Sequence, residues 1–263
     1  MPISSSGQTM IIATNAFGIS EPEAFSLGIF LHLGTTIAVL VRFRKEFIKI
    51  IKACYPNLPP DVTQTDVKKR NWILFATIGT AITGLPLYIF IRHLIAEEPI
   101  TGDIITLIVA GLLLITGVIL LWTRKKYGEN RIEDVLKSTS DKHSFLSGLV
   151  QGTSILPGIS RSAVTVSANL MENYEQNNAL KLSFLMSVPV AFAAIAVDVV
   201  FGEYSVFGFL DPLTIVVVTA ISFVVGYLTM EVLLRIAQKI QFGYFCVFFA
   251  VIAFAVILPF LFL

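Results

Sequence analysis

One short stretch of this chain concentrates polar side chains in an otherwise apolar sequence. Residues 151–165 read QGTSILPGISRSAVT and combine Arg161 with the hydroxyls of Ser160, Ser162 and Thr165. The planar guanidinium of arginine binds two oxygens of a carboxylate or phosphate at once, and small residues around it leave backbone N–H groups free to face a ligand. The stretch therefore predicts an anion site, although the hydroxyls have the alternative role of satisfying backbone groups between closely packed helices.

The composition places this site in a membrane protein. Of the 263 residues, 55% are hydrophobic and only 14% are charged, whereas soluble domains carry about 25% charged residues. A bilayer core about 30 Å thick requires about 20 mostly apolar residues per helix. Six stretches approach that length, at 24–41, 72–91, 104–122, 182–200, 213–230 and 242–263.

Two shorter apolar pieces, at 144–156 and 163–171, flank the turn that contains Arg161. Neither is long enough to cross a bilayer alone, so we expect a re-entrant pair that enters and leaves on one side. Non-helical backbone is tolerated at membrane depth only where it is buried in protein or lines a cavity. The break is therefore itself a reason to expect a site.

The basic residues orient the chain. With a re-entrant pair, seventeen of the nineteen Lys and Arg residues lie on one side of the membrane, which leaves Arg92 on the other side and Arg161 within it. The positive-inside rule makes the basic side cytoplasmic. We predict a multi-pass protein of the cell (plasma) membrane with cytoplasmic basic loops.

The order of these segments predicts two inverted-topology repeats, 1–142 and 143–263. Three spans follow PISSSG at residues 2–7, and three spans of opposite direction follow PGISRS at 157–162. Repeats of this kind bring their broken segments together near the midplane, where they form a shared site. The predicted fold is an all-α integral membrane protein with six full transmembrane helices plus re-entrant segments.

Asp198 is the one charged residue within the six apolar stretches. Because it lies near the end of the fourth stretch, we expect it to be solvated at the membrane interface. A cavity-facing position and an ion pair with Arg92 are the alternatives.

Four segments carry a family resemblance. LPGISRSAVT followed by LSFLMSVPVAFAA, together with PISSSGQ and FSLGIFLHLGTTIAVLVRF, resembles the signatures of the undecaprenyl-diphosphate phosphatase family, integral-membrane enzymes associated with bacitracin resistance. Gln151 matches the position where that family has Gln or Glu. The resemblance extends over nearly the whole chain.

The resemblance implies hydrolysis of a polyprenyl diphosphate to the monophosphate, which recycles a lipid carrier for glycans and cell-wall precursors. Ser5 resembles the nucleophile of the family, and Arg161 resembles the arginine that holds the diphosphate. The implied substrate-binding residues are Ser4, Ser6, Gln8, Gln151, Gly158, Ser160, Ser162 and Thr165. Members generally require a divalent cation, Mg²⁺ or Ca²⁺.

The sequence departs from the family pattern in two places. The family signature begins with an acidic ExxxE pair upstream of Pro2, and these expected metal ligands or acid-base groups are not in this sequence. A start codon assigned too far downstream and a naturally short form are the two explanations. Gln8 stands where the family commonly has histidine, and an amide cannot accept the proton of Ser5. His32 is the candidate replacement base, or else it hydrogen-bonds a neighbouring helix.

Two functions remain open at this stage. The first is a phosphatase for polyprenyl diphosphate, and the second is a non-hydrolytic carrier or flippase of polyprenyl phosphates on the same fold. Both imply a polyprenyl lipid and membrane lipids as partners, and neither implies a nucleic acid. The sequence leaves the prenyl length, the leaflet of substrate entry and association into a homodimer open.

Overall fold

The computed structural model of the protein describes residues 5–97, 102–123, 128–201 and 205–239, together with positions 251 and 255. This part of the chain is helical, and an isolated β-bridge pairs Asn130 with Tyr174. The predicted all-α class is confirmed.

Eleven named helices follow one another along the described chain. They are α1 (Ser5–Phe17), α2 (Glu21–Phe30), α3 (His32–Arg42), α4 (Arg44–Lys52), α5 (Gln64–Glu97), α6 (Gly102–Thr123), α7 (Lys137–Gly152), α8 (Arg161–Met171), α9 (Gln176–Phe201), α10 (Val206–Phe209) and α11 (Pro212–Lys239). A short 3₁₀ helix, Thr153–Ile155, follows α7.

Four apolar segments are long enough to cross a membrane, which makes this a multi-pass membrane protein. They are Glu21–Arg42, Gln64–His93, Gln176–Phe201 and Pro212–Arg235, and they match the first, second, fourth and fifth predicted spans. Helix α6 covers the third predicted span, although its described apolar part is shorter, Ile108–Ile119. The sixth predicted span, 242–263, lies almost wholly outside the described residues, so the count of six stays a prediction.

The predicted re-entrant pair corresponds to the hairpin of α7 and α8. The hydroxyl of Ser147 on α7 donates a hydrogen bond of 2.8 Å to Oδ1 of Asn169 on α8. Helix α7 begins at Lys137, seven residues before the apolar piece at 144–156, so its first turns are polar. Helix α1 is a similarly short helix of 13 residues that packs against α2 and α6. The division into repeats 1–142 and 143–263 stays a prediction.

Small residues let α5 and α7 approach closely. A Cβ atom added to Gly148 would overlap the carbonyl oxygen of Ala76, and one added to Gly152 would overlap the hydroxyl of Thr83. Thr83 in turn donates a hydrogen bond of 2.8 Å to the carbonyl of Leu149. Close backbone contact and interhelical hydrogen bonds are the interactions that join helices in a membrane. The pair of α5 and α7 therefore anchors the hairpin.

Replacing Gly148 with valine is expected to loosen this anchor. Overpacking a close contact costs about 1–3 kcal/mol, so the midpoint of thermal unfolding in detergent should fall by several degrees. Gly111→Val is the matched control, because a Cβ at Gly111 meets nothing within 4 Å. Equal shifts for both variants, measured by fluorescence on heating, would contradict the close contact.

Asp198 is not solvated at an interface, so that expectation was wrong. Its side chain is buried and forms an ion pair with Arg92, with 2.9 Å between Oδ1 and Nη2. The same carboxylate oxygen accepts hydrogen bonds from Ser26 at 3.1 Å and Tyr88 at 3.2 Å. These four residues, the Asp198 network, connect α2, α5 and α9. The alternative of pairing with Arg92 is confirmed, because a buried carboxylate is stable only with such partners.

Candidate active site

The N-terminal ends of the two short helices α1 and α8 lie next to each other. Helix α1 begins at Ser5 and α8 begins at Arg161. A Cβ atom on Gly7 would lie 2.6 Å from the backbone nitrogen of Gly158, so only glycine at position 7 permits this approach. Gly158 itself has φ +106°, a conformation that side chains disfavour. The two glycines thus bring together two helix ends that carry partial positive charge.

Hydrogen bonds from α8 and from α6 hold the turn before α8 in place. Ser160 caps the helix, and its hydroxyl accepts a hydrogen bond of 3.4 Å from the backbone nitrogen of Ala163. Thr116 on α6 donates a hydrogen bond of 3.1 Å to the carbonyl of Gly158 and accepts one of 3.2 Å from the backbone nitrogen of Ser160. Thr116 was not expected from the sequence, and its isolated position in an apolar span gave no signal.

A polar cavity of about 120 Å³ lies at this meeting point, and we call it the central cavity. Six residues predicted from the sequence line it together: Ser5, Ser6, His32, Ser160, Arg161 and Ser162. Helix α1, helix α3 and the start of α8 thus contribute to one site. An anion here would face two helix N-termini and several hydroxyl groups.

Among the described residues, Arg161 is the only Lys or Arg that lines the central cavity. Its Nε is buried and has no hydrogen-bond partner in the described part of the chain. A buried donor without a partner is unfavourable by about 1–3 kcal/mol, and by more when the group is charged. The guanidinium is therefore ready to receive an anionic ligand.

His32, at the start of α3, lines the central cavity together with Arg161. Its backbone carbonyl accepts hydrogen bonds from the hydroxyls of Thr35 at 3.0 Å and Thr36 at 2.6 Å. The imidazole ring makes no hydrogen bond with any described residue, so the alternative of a bond to a neighbouring helix does not apply within them. The ring shares the cavity with Ser5.

The other predicted site residues lie elsewhere. Thr165 is fully buried, donates a hydrogen bond of 2.7 Å to the carbonyl of Arg161, and shares one of 2.5 Å with the hydroxyl of Ser183. Gln151 is buried and donates a hydrogen bond of 3.2 Å to Thr80, while its Oε1 has no partner in the described chain. Gln8 is half-buried on α1 and is not among the residues that line the central cavity. Ser4 lies outside the described residues.

Ser154, which belongs to the polar stretch 151–165, also lines the central cavity. Sequence reasoning missed four further hydroxyl groups in the lining: Thr35, Thr36, Ser183 and Ser187. The internal repeat of the sequence contains a signal for Ser187. AFSLGIFLHL at 24–33 resembles ALKLSFLMSV at 179–188, which aligns His32 with Ser187 at the same offset that aligns Ser5 with Ser160. Both members of each pair line the cavity, as two broken segments around a shared site would predict.

The described lining does not fit a resident Mg²⁺ or Ca²⁺ ion. These cations are bound by several oxygen ligands, normally including carboxylates, and the described lining offers hydroxyls beside the positive charge of Arg161. No group of three His, Cys, Asp or Glu side chains with metal-binding geometry occurs among the described residues. The divalent-cation requirement stays a prediction.

A second polar cluster lies at the far end of the α7–α8 hairpin. Oε2 of Glu172 lies 3.4 Å from the hydroxyl of Ser147 and 4.0 Å from Nδ1 of His143. Burial raises the pKa of Glu172 to about 8 and lowers the pKa of His143. Both shifts favour the neutral forms, so burial weakens an ion pair between these two groups.

Comparison with known proteins assigns the family. The family described as Bacitracin resistance protein BacA matches residues 1–255. The undecaprenyl-diphosphatase of Methanothrix thermoacetophila is 36% identical over 260 residues, which cover 97% of this chain and 90% of that protein. The proteins of the same name from Haloarcula marismortui and Methanococcoides burtonii are 34% and 31% identical, over 95% and 94% of this chain and 88% of each relative. The cavity between two short helices thus lies in a chain that belongs to the BacA family of bacitracin resistance proteins.

Proposed function

We propose that this chain is a membrane phosphatase that hydrolyses a polyprenyl diphosphate of the undecaprenyl type to the monophosphate. The observation that carries the proposal is Arg161, which lines a cavity where two helix N-termini meet and whose buried Nε has no hydrogen-bond partner among the described residues. The names of the relatives support hydrolysis. They do not favour the alternative of a non-hydrolytic carrier or flippase.

The proposed reaction proceeds through a covalent intermediate. The hydroxyl oxygen of Ser5 attacks the terminal phosphorus, and the ring of His32 accepts the proton. The bond between this phosphorus and the bridging oxygen breaks, so polyprenyl monophosphate leaves with that oxygen. Arg161 and the helix N-termini stabilise the negative charge of the transferring group. Water then hydrolyses the phosphoserine, which releases inorganic phosphate and restores the Ser5 hydroxyl.

The proposal includes a location and an orientation. The chain would lie in the plasma membrane with its basic loops on the cytoplasmic side, because seventeen of nineteen Lys and Arg residues fall there. All residues used in the reaction belong to one chain, so association into a homodimer is a separate prediction. The partners are the polyprenyl lipid and the membrane lipids.

We expect His32→Gln to reduce phosphate release by about 10²-fold, because a positioned general base contributes roughly 10²–10⁴-fold. The assay measures inorganic phosphate released from polyprenyl diphosphate in detergent, with Mg²⁺, with Ca²⁺ and with EDTA. His143→Gln is the matched control, since this histidine lies at the far end of the hairpin. Activity lost only with EDTA would support the cation requirement.

The same assay separates the two functions. Phosphate release by the wild-type chain supports the phosphatase. No release under any metal condition, together with retained binding of polyprenyl monophosphate, would reject hydrolysis and leave the carrier.

A further inference from the structure

A second cavity of about 200 Å³ lies beside the central cavity, between α5 and α9. We call it the lateral cavity. Its exposed lining is mainly apolar and includes small residues, among them Ala81, Gly84, Ala193 and Ala194, while Thr80 and Gln151 also line it. Ala81, Leu85 and Ala193 are exposed on helices that face lipid. The lateral cavity therefore opens toward the hydrocarbon of the bilayer.

The lateral and central cavities share two residues, Ser154 and Arg161. The guanidinium of Arg161 thus stands between a polar space and an apolar one. A lipid diphosphate has the same two parts, an anionic head and a hydrocarbon chain joined through one oxygen. The central cavity on one side of Arg161 suits the anionic head, and the lateral cavity on the other side suits the hydrocarbon chain.

A rival position for the chain is a cavity of about 380 Å³ between α1, α3 and α11. Its apolar residues include Val218, Ile221 and Val225. This rival cavity, however, shares Ser5 and His32 with the central cavity, whereas the lateral cavity contains neither residue.

The geometry of phosphoryl transfer distinguishes the two positions. The attacking and leaving oxygens lie roughly in line on opposite sides of the phosphorus. A chain in the rival cavity would place its oxygen on the same side as Ser5. A chain in the lateral cavity would instead leave past Ser154 and Arg161, and Ser5 does not line that cavity.

We propose that the lateral cavity between α5 and α9 binds the first isoprene units of the substrate, with the rest of the prenyl chain in the bilayer. This inference rests on the proposed phosphatase function and deepens it. A cavity of about 150 Å³ holds a benzene molecule, so roughly one to two isoprene units fit the lateral cavity. The small side chains then determine how closely the branched hydrocarbon packs.

Filling the cavity tests this assignment. We expect Ala193→Trp to raise KM for farnesyl diphosphate at least about tenfold, while the inhibition constant of inorganic pyrophosphate, which has no chain, stays within about twofold. Ala196→Trp is the matched control, because Ala196 is an exposed alanine of the same helix that does not line the cavity. Val225→Trp fills the rival cavity instead, and a tenfold rise confined to that variant would overturn the assignment.

Photo-crosslinking tests the same point without turnover. A farnesyl monophosphate that carries a diazirine on its first isoprene unit should label residues 81–85 of α5 or 190–197 of α9. Labelling confined to residues 218–225 of α11 would overturn the proposal even if phosphate release is normal. Labelling of α5 or α9 in a protein that releases no phosphate would support the lateral cavity and reject the phosphatase.

Discussion

Arg161→Ala is expected to lower kcat/KM for polyprenyl diphosphate by about 10³-fold. Removing a single donor from a preorganised anion site lowers kcat by about 10²–10³-fold, and arginine supplies several donors and a full charge. The Nε of Arg161 is buried and has no hydrogen-bond partner in the part of the chain that the structure describes, so we expect its interactions to form when the anion binds. The measurement is the initial rate of phosphate release over a range of substrate concentrations.

Two further variants separate the charge from its geometry. Arg161→Lys keeps the charge but loses the planar fork that binds two oxygens, so it should retain more activity than alanine and much less than wild type. Arg235→Ala removes a largely exposed arginine outside the cavities and should leave the rate near wild type. Wild-type rates in Arg161→Ala would remove this residue from the anion site.

Asp198→Ala is expected to destabilise the protein by about 3 kcal/mol, because it leaves the partly buried charge of Arg92 without its buried carboxylate partner. The loss of stability should be large, because the carboxylate of Asp198 also accepts hydrogen bonds from Ser26 and Tyr88. The free energy of unfolding in mixed micelles, or the thermal midpoint in detergent, measures the change.

Removing both charges provides the control for this second prediction. A buried ion pair replaced by apolar residues of similar size is often neutral for stability, so Arg92→Met with Asp198→Leu should recover most of the loss. A double variant as unstable as Asp198→Ala would mean that the hydrogen bonds, rather than the charge balance, hold α2, α5 and α9 together.

Much of the architecture could be predicted from hydropathy. The four confirmed spans were expected, because a helix that crosses a bilayer needs about 20 apolar residues. The hairpin around Arg161 was expected because its two apolar pieces are too short to cross and the backbone between them must be buried in protein or line a cavity. The ends of the helices were not predicted well. Helix α5 begins at Gln64 rather than near residue 72, since hydropathy marks the part in contact with lipid and helical backbone continues into water.

The site was predicted in part. Ser5, Ser6, His32, Ser160, Arg161 and Ser162 do share a cavity, because the two broken segments that carry most of them meet at one site. Thr165 is buried against α9 instead, and Gln151 lines the lateral cavity beside Thr80. No spacing rule shows which side of a short helix faces which cavity. The environment of Asp198 depended on a partner 106 positions away, a contact that only the packed helices reveal.

The contact between Gly7 and Gly158 also has a consequence for biogenesis. The two glycines lie far apart in the chain and meet backbone to backbone, so the anion site exists only after both halves have entered the membrane and docked. A nascent chain with only its first half inserted carries Ser5 and His32 but not Arg161. Under the proposed function, the protein acquires activity at the last stage of its assembly and not gradually during synthesis.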